Sequence, residues 1–477
     1  MTTDAPVPEL AERAAACAER LRATDRVLLA SHIDADGLTS AAVAATALER
    51  AGLPFEVVFK KQLDAAEIAS IAAREYDTVL FTDFGSGQLD DIARHEQAGD
   101  FTPIIADHHQ PADAETEFHL NPLLFGINGA SELSGAGAAY VLARALGGEE
   151  NRDLARLAVI GAVGDMQDSD GELHGANAAI VAEGVEAGVL AEGKDLAVYG
   201  KQTRPLPKLL QYASDVYIPG ITNSQSGAIS FLEDLAIETK EGGDWKRWVD
   251  LTDDEKRAVA QALFKHAVTR GVPAHQIEKL VATSYTLLDE EEGTELRDAS
   301  EFSTLLNATA RYDREDVGLA VCLGDRTEGL ARARELLSNH RRNLSEGLQW
   351  VKRNGVTKEE HVQWFDAGDE IRETIVGIIA GMAVGSDGID RNTPIIAFAH
   401  KNDEETKVSS RGTQGLVRQG LDLGAAMGEA STAVGGGGGG HDVAAGATIP
   451  TGKETAFIDH VDRIVGEQLG EKVNTAG

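Results

Sequence analysis

Three short polar clusters carry residue types that can do chemistry. His32, Asp34 and Asp36 fall on alternate positions, Asp83 stands alone, and Asp107, His108 and His109 are consecutive. A fourth acid, Asp165, follows the apolar run 154–164. Carboxylate oxygens mixed with imidazole nitrogens suit Mn2+ or a related divalent ion, and the oxygens alone also serve Mg2+. Two such ions sharing a bridging carboxylate can activate water and clamp phosphoryl oxygens, which is chemistry fitted to cleaving a phosphoester. Taken singly, each cluster has a plainer reading: Asp-Ala-Asp-Gly as a turn or helix cap, Asp83 as a cap, the histidines as solvated side chains. Only the four in order point to a metal centre.

Each of the three clusters directly follows a short apolar run: 27–30, 79–81 and 104–106. Those runs read as buried strands, and in an open parallel sheet ligands bind outside the carboxyl ends of the strands. In an extended segment alternate residues share a face, so His32, Asp34 and Asp36 are expected to point into one pocket. Helical patterns over 8–23, 38–51 and 64–74, with a strand at 55–59, alternate with these runs. The alternation predicts an α/β fold with a doubly wound parallel sheet over residues 1–195. Ser134 is placed to cap a helix starting at 135.

Residues 196–365 read as a helical bridging or inserted region. Lys201, Arg204 and Lys208 are candidates there for lining a channel, and Trp245 and Trp248 read as core or as base-stacking residues. Alternation resumes in a smaller α/β domain over 366–477, with a buried helix at 373–382, strands at 394–399 and 407–411, and a helix at 416–426. Six glycines, Gly435 to Gly440, then run into His441. Consecutive glycine N–H groups can form a concave anion nest, and Arg411 can fork two bonds to a phosphate. Alone, such a run would be a flexible linker. Lys60 and Lys61, just past a strand, read as a solvated pair or as a reach toward a terminal phosphate.

Composition narrows the function classes. Among 477 residues, 44 are Lys or Arg and 78 Asp or Glu, a net charge of −34. The acids are scattered over periodic sequence, which predicts a solvated acidic surface suited to high salt rather than an acidic tail. At ~1 M salt the Debye length falls to about 3 Å, so net charge does not exclude a nucleic-acid partner. Two cysteines exclude a disulfide framework and a thiolate cluster, and suit a reducing cytoplasm. The sequence shows no secretory signal pattern and no apolar run long enough to span a bilayer, so no membrane association is expected.

The ordered motifs His32-x-Asp34-x-Asp36-Gly37, Asp83, Asp107-His108-His109 and Gly164-Asp165 resemble the four motifs of the DHH phosphoesterase superfamily. Ser409-Ser410-Arg411 and Gly437-Gly438-Gly439-Gly440-His441, with Ala444-Ala445-Gly446, resemble the substrate-binding signatures of its DHHA1 domain. Within the superfamily the chain is most similar to RecJ-type single-strand exonucleases, particularly archaeal forms, because Asn307-Ala308-Thr309-Ala310-Arg311 resembles their Asn-Ala-x-x-Arg signature. It departs from bacterial RecJ in carrying His32 where an acid is usual, and it shows no additional oligonucleotide-binding domain of the bacterial type.

The resemblance implies that His32, Asp34, Asp36, Asp83, His108 and Asp165 hold two divalent ions, Mn2+ or Mg2+, with Asp83 bridging. Asp107 would orient His108, and His109 would sit against the scissile phosphate. Ser409, Ser410, Arg411, Gly438, Gly439, Gly440 and His441, with Arg311 and Lys61, would contact the substrate. The partners implied are single-stranded nucleic acid and proteins of replication or repair. Two other readings stay open: a phosphoesterase of short oligonucleotides or cyclic dinucleotides, and a replication-complex scaffold descended from such nucleases.

Overall fold

The computed structural model describes residues 5–213, 216–386 and 388–471. The chain divides into two compact units, Met1–Arg334 and Glu335–Gly477.

The first unit opens with α1 (Ala11–Arg22) and then alternates: β1 (Val27–His32), α2 (Ala35–Arg50), β2 (Phe55–Lys60), α3 (Ala65–Ala72), β3 (Thr78–Thr82), α4 (Leu89–Ala98), β4 (Thr102–Ala106) and β5 (His119–Leu120). The strands form one parallel sheet in the order β2-β1-β3-β4-β5. Strand order reverses at β1, so the crevice between the carboxyl ends of β1 and β3 is the switch point where such sheets take ligands. Strands β1, β3 and β4 are apolar on both sides because helices cover both faces, while the edge strand β2 is half-exposed. Leu28, Ala30, Val79, Phe81 and Ile105 pack with Ile68 and Ile71 of α3 and Ile92 of α4. Helix α2 crosses the opposite face and packs on α5 (Gly135–Gly147) and α6 (Ala155–Gly164), to which α7 (Gly175–Glu186) is joined. The doubly wound parallel sheet expected from the alternation is present.

A long excursion follows. Strand β6 (Leu190–Leu196) pairs antiparallel with β9 (Val281–Leu287), with Leu196 opposite Val281. Between them lie α8 (Leu206–Gln211), α9 (Gln225–Asp234), the small hairpin β7 (Lys240–Glu241) and β8 (Asp244–Trp245), α10 (Asp253–Thr269) and α11 (Ala274–Ile277). This stretch has its own core, with Leu206, Leu209, Ile218, Leu232, Trp248, Val259 and Leu263 buried together. Beyond β9, α12 (Ala299–Ala310) and α13 (Glu315–Cys322) return to pack against α6 and α2. Buried Glu301 of α12 ties down the excursion's entry, accepting the Gln202 N–H at 2.7 Å and the Thr203 hydroxyl.

Helix α14 (Glu328–Asn354) carries the chain into the second unit. Its elements are β10 (Thr357–Lys358), β11 (Gln363–Asp366), α15 (Val376–Ala383), β12 (Ile395–His400), β13 (Glu405–Arg411), α16 (Gln414–Gln419), α17 (Leu423–Ala433), β14 (Gly437–Gly440), β15 (Ala444–Pro450) and α18 (Glu454–Glu471). They build a six-stranded sheet in the order β10-β11-β12-β13-β15-β14, antiparallel except for β11 with β12. One face buries Ile396, Phe398, Val408, Ala447 and Ile449 against Met427 of α17 and Phe457 and Val461 of α18. On the other, Ile395, Ala397 and Ala399 pack against Val376, Ile379 and Ala380 of α15.

Three sequence-based expectations are corrected here. The helix expected at 416–426 is two helices, because Gly420 adopts φ +119° and Asp422 caps a new start through the Ala425 N–H. The glycine run is no nest: Gly437–Gly440 is an edge strand paired with β15. Glycine is required on its inner side, where a Cβ on Gly438 would lie 2.7 Å from Ala447 Cβ and 2.8 Å from Gly446 O. Finally, α2 begins at Ala35, so no extended segment carries Asp36. Among the described residues, no helix is long and apolar enough to cross a membrane.

Candidate metal centre

The crevice collects the four motifs by four different local devices. His32 is the last residue of β1. Asp34 is the N-cap of α2, accepting the Gly37 N–H at 3.0 Å, and Asp36 sits in the first helical turn. Asp83 follows β3 with a left-handed backbone, φ +59°. Such a conformation costs of order 1 kcal/mol or more for a non-glycine residue and persists at functional sites. His108 follows β4, and Asp165 is the C-cap of α6. The positions converge as expected, though through a helix start rather than strand alternation.

Two triads result. His32 Nδ1 lies 3.1 Å from Asp34 Oδ2 and 3.5 Å from Asp83 Oδ2. His108 Nε2 lies 3.3 Å from Asp83 Oδ1 and 3.8 Å from Asp36 Oδ2, with Asp165 Oδ2 3.9 Å from its Nδ1. The ligand atoms of His32, Asp34 and Asp83 fall within 4.8 Å of one another, as do those of Asp36, His108 and Asp165. Asp83 thus turns one oxygen to each group. It is 2% exposed, and its Oδ1 accepts no well-directed hydrogen bond. A buried carboxylate oxygen left without a partner is costly. The polar atom that faces it is His108 Nε2, and the donor set of four carboxylates and two imidazoles fits divalent cations.

The surroundings hold these groups in place. Asp36 docks on the start of α5, accepting the Gly135 N–H at 2.7 Å and the Ala136 N–H at 2.9 Å. The helix N-terminus favours its negative charge. Close approach demands glycine: a Cβ on Gly161 would lie 2.3 Å from Asp36 Oδ1, and one on Gly135 2.4 Å from Asp83 Oδ1. His108 Nδ1 bonds the Gly129 carbonyl at 2.6 Å, which leaves Nε2 to face the acids.

Electrostatics agree with a centre built for cations. Burial disfavours charge on His32, yet Asp34 and Asp83 outweigh it and push its pKa up to about 11. His108 is likewise raised against burial by Asp83 and Asp36. Burial raises Asp36, and the charges of Asp83, Asp165 and Asp34 add to the shift. Burial raises Asp165 as well. Asp34 falls to about 2 despite burial, held by His32, the Gly37 N–H and the charge of Arg311. In the absence of a cation the pocket keeps protons that a cation would displace.

Asp107 does not orient the His108 ring, which corrects one expected role. It is fully buried, accepts the Ser86 N–H at 2.9 Å and the His108 backbone N–H at 2.8 Å, and binds His109 Nδ1 at 2.8 Å. The ring it fixes is therefore that of His109, whose side chain is 55% exposed and whose pKa it raises.

Three further residues act on the centre. Gln167 donates to Asp165 Oδ2 at 3.0 Å and to the Gly129 carbonyl at 2.9 Å, and is itself held by Asn177 at 2.6 Å. Asn307 accepts the Ala35 N–H at 3.1 Å, steadying the turn that carries Asp34 and Asp36. Asn307 lies in the Asn-Ala-x-x-Arg signature, which signals it; nothing in the sequence singles out Gln167.

The remaining candidates divide. Arg311 is exposed and close enough to lower Asp34, and Lys61 pairs with Asp313 at 2.5 Å, while Lys60 pairs with Glu67. In the second unit Ser409 and Arg411 share a face beside α15, while His441 closes the exposed turn into β15. Ser410 is turned inward, its hydroxyl bonded to the Ala445 carbonyl at 3.1 Å, and Gly438 likewise faces inward. Gly439 faces outward, and Gly440 adopts φ +141°. Lys201 lines no channel: its side chain is 11% exposed and bonds Ser284 at 2.8 Å between Asp195 and Asp298. Arg204 lies over the Tyr199 ring and Lys208 is exposed. Trp248 is core, bonded to Asp195, whereas Trp245 lies at the surface under Lys240.

Fold and centre together define a known class. The DHH family N-terminal domain matches residues 26–162, the DHH-CID domain 198–281 and the DHHA1 domain 361–467. The chain belongs to the DHH phosphoesterase family. An uncharacterized protein of Methanocaldococcus jannaschii is 33% identical over 448 residues, covering 92% of this chain and 93% of that protein. The single-stranded-DNA-specific exonuclease RecJ of Bacillus subtilis is 30% identical over 171 residues, 34% of this chain and 21% of RecJ. RecJ of Thermus thermophilus, solved with Mn2+, aligns with a TM-score of 0.60 at 17% identity over 98% of this chain and 56% of its own. CDC45 of Entamoeba histolytica aligns with a TM-score of 0.66 at 11% identity, over 96% and 98% of the two chains. The chain thus spans about half the length of the Thermus RecJ, and at these identities the structural likeness is one of fold.

Proposed function

We propose that this protein is a RecJ-like exonuclease that hydrolyses single-stranded DNA from an end, with RNA as a second substrate, using two divalent ions, Mn2+ in preference to Mg2+. The observation that carries the reading is Asp83, buried between two triads with one oxygen turned to each. His32, Asp34 and Asp83 would hold one ion, and Asp36, His108 and Asp165, with Asp83 shared, the other. Bound there, the ions would supply a water of lowered pKa and Lewis acidity toward the phosphoryl oxygens. Asp107 fixes the His109 ring by Nδ1, so Nε2 is the atom free to donate. A protonated His109 neutralises charge on the phosphate and can pass its proton to the departing oxygen.

Work beside replication or repair proteins is part of the same proposal, as the resemblance to RecJ-type nucleases implies. A pure scaffold would not need the complete donor set, so the nuclease reading is preferred. The acidic surface suits function in the cytoplasm of a high-salt cell.

The test is release of mononucleotides from end-labelled single-stranded DNA and RNA in molar salt, with Mn2+ or Mg2+ supplied. Metal-dependent release that vanishes in Asp83→Ala supports the assignment. Undiminished release by that variant, or none by the wild type on any strand, would overturn it. Faster cleavage of dinucleotides than of long strands would favour the small-substrate alternative.

A further inference from the structure

The second unit's sheet has a face that the metal centre does not use. Along β13, Lys407, Ser409 and Arg411 alternate with the buried Thr406, Val408 and Ser410. Ser409 lies opposite Gly446 of β15, which lies opposite Gly439 of β14; Lys407 lies opposite Thr448, and Thr448 opposite Gly437. Directly opposed residues of an antiparallel pair project to the same side. Two rows of one face follow from register alone, and both end on the bare backbone of β14.

Coverage of that face is uneven. At β13 it is walled by α15, whose Gly377 passes so close that a Cβ would lie 2.9 Å from both Arg411 Nη2 and Ser409 Oγ. At β14 it is open: a Cβ on Gly437 or Gly439 would meet no atom within 4 Å. The result is a trough with a helical wall and a floor of glycine backbone. Lys407 reaches over this floor, its Nζ 3.5 Å from where a Cβ on Gly446 would stand. It is half-buried and, among the described residues, makes no ion pair and no side-chain hydrogen bond, in a chain with 78 acids. Burial lowers its pKa, and the charges of Lys401 and Arg411 add to this against the pull of Glu373. An ammonium so placed is costly unless an anion joins it.

We propose that Lys407 binds the phosphodiester backbone of a single strand lying along this trough, a contact additional to Arg411. Lys407 Nζ reaches over Gly446, the residue opposite Ser409, and Arg411 Nη2 lies beside Ser409, so both cations border the same row. The inference rests on the nucleic-acid reading above and names where that strand lies.

The test uses the full chain without divalent ions, so that no strand is cut, and follows the anisotropy of a labelled DNA dodecanucleotide. For single strands, log affinity falls against log salt by about 0.7 per phosphate contact. Lys407→Gln should lower the magnitude of that slope by about 0.7, roughly a five-fold change over a tenfold range of salt. Lys407→Arg should keep the slope. A wild-type slope in Lys407→Gln beside a reduced one in Arg411→Gln overturns the Lys407 contact alone. Unchanged slopes in both, or no binding by the wild type, overturn the nucleic-acid reading with it.

Discussion

Loading the metal centre should release protons from imidazoles that the acids surround. His32 Nδ1 sits between Asp34 and Asp83, and His108 Nε2 between Asp83 and Asp36, all within 3.1 to 3.8 Å. The acids raise both imidazoles, His32 to about 11. The sign follows from the direction of the shift. A histidine raised in the folded state contributes stability that is fully present below its unfolded pKa of about 6.5 and is lost only as pH climbs through the folded value. Near neutral pH the His32 ring therefore holds a proton that a cation must displace. For His32 at about pH 7.5 that displacement costs about 5 kcal/mol. Each displaced proton makes apparent affinity rise about tenfold per pH unit, so the His32 proton alone sets a slope of at least tenfold. Titration calorimetry with Mg2+ at two pH values, in two buffers of different ionisation enthalpy, reads both the slope and the protons released. An affinity independent of pH, with no proton released, would refute the account of these side chains as ligands.

Other expectations are more local. Gln167→Leu removes the donor to Asp165 and to the Gly129 carbonyl, so calorimetry should show metal affinity about tenfold weaker or worse, and the melting temperature should also fall because the buried Asn177 amide loses its acceptor. Glu301 is raised by burial to about 7, so its folded form holds a proton the unfolded chain releases near pH 4.5. Stability should fall as pH rises from about 4.5 through 7, and thermal melts should show Glu301→Gln gaining on the wild type at pH 8 but not at pH 5. In the edge strand, Gly438→Ala should lower the melting temperature, because its Cβ would strike Ala447 and the Gly446 carbonyl, whereas Gly439→Ala meets open space and should not.

The sheet was legible because β1, β3 and β4 are short runs buried on both sides, a pattern few other structures produce. The acids and imidazoles following them were legible for the same reason: strand ends are where an open sheet admits ligands. What escaped depended on partners distant in the chain. Asp36 owes its setting to backbone groups near residue 135, and Asp165 to a glutamine with no motif around it. Asp107 precedes both histidines, and only the bend of the backbone decides which ring it meets. The glycine run carries no side-chain period, so nothing in it distinguished a loop from a strand that a neighbouring helix requires to be bare.

The pairing of Leu196 with Val281 has a consequence for how such chains can diversify. Entry and exit of the intervening residues are neighbours across one ladder spacing, about 4.8 Å. A cassette so connected can be enlarged, traded or deleted with only a tight turn needed to close the gap. Its core is built from its own residues, so substitutions there repack locally, while Glu301 keeps the entry moored at Gln202 and Thr203.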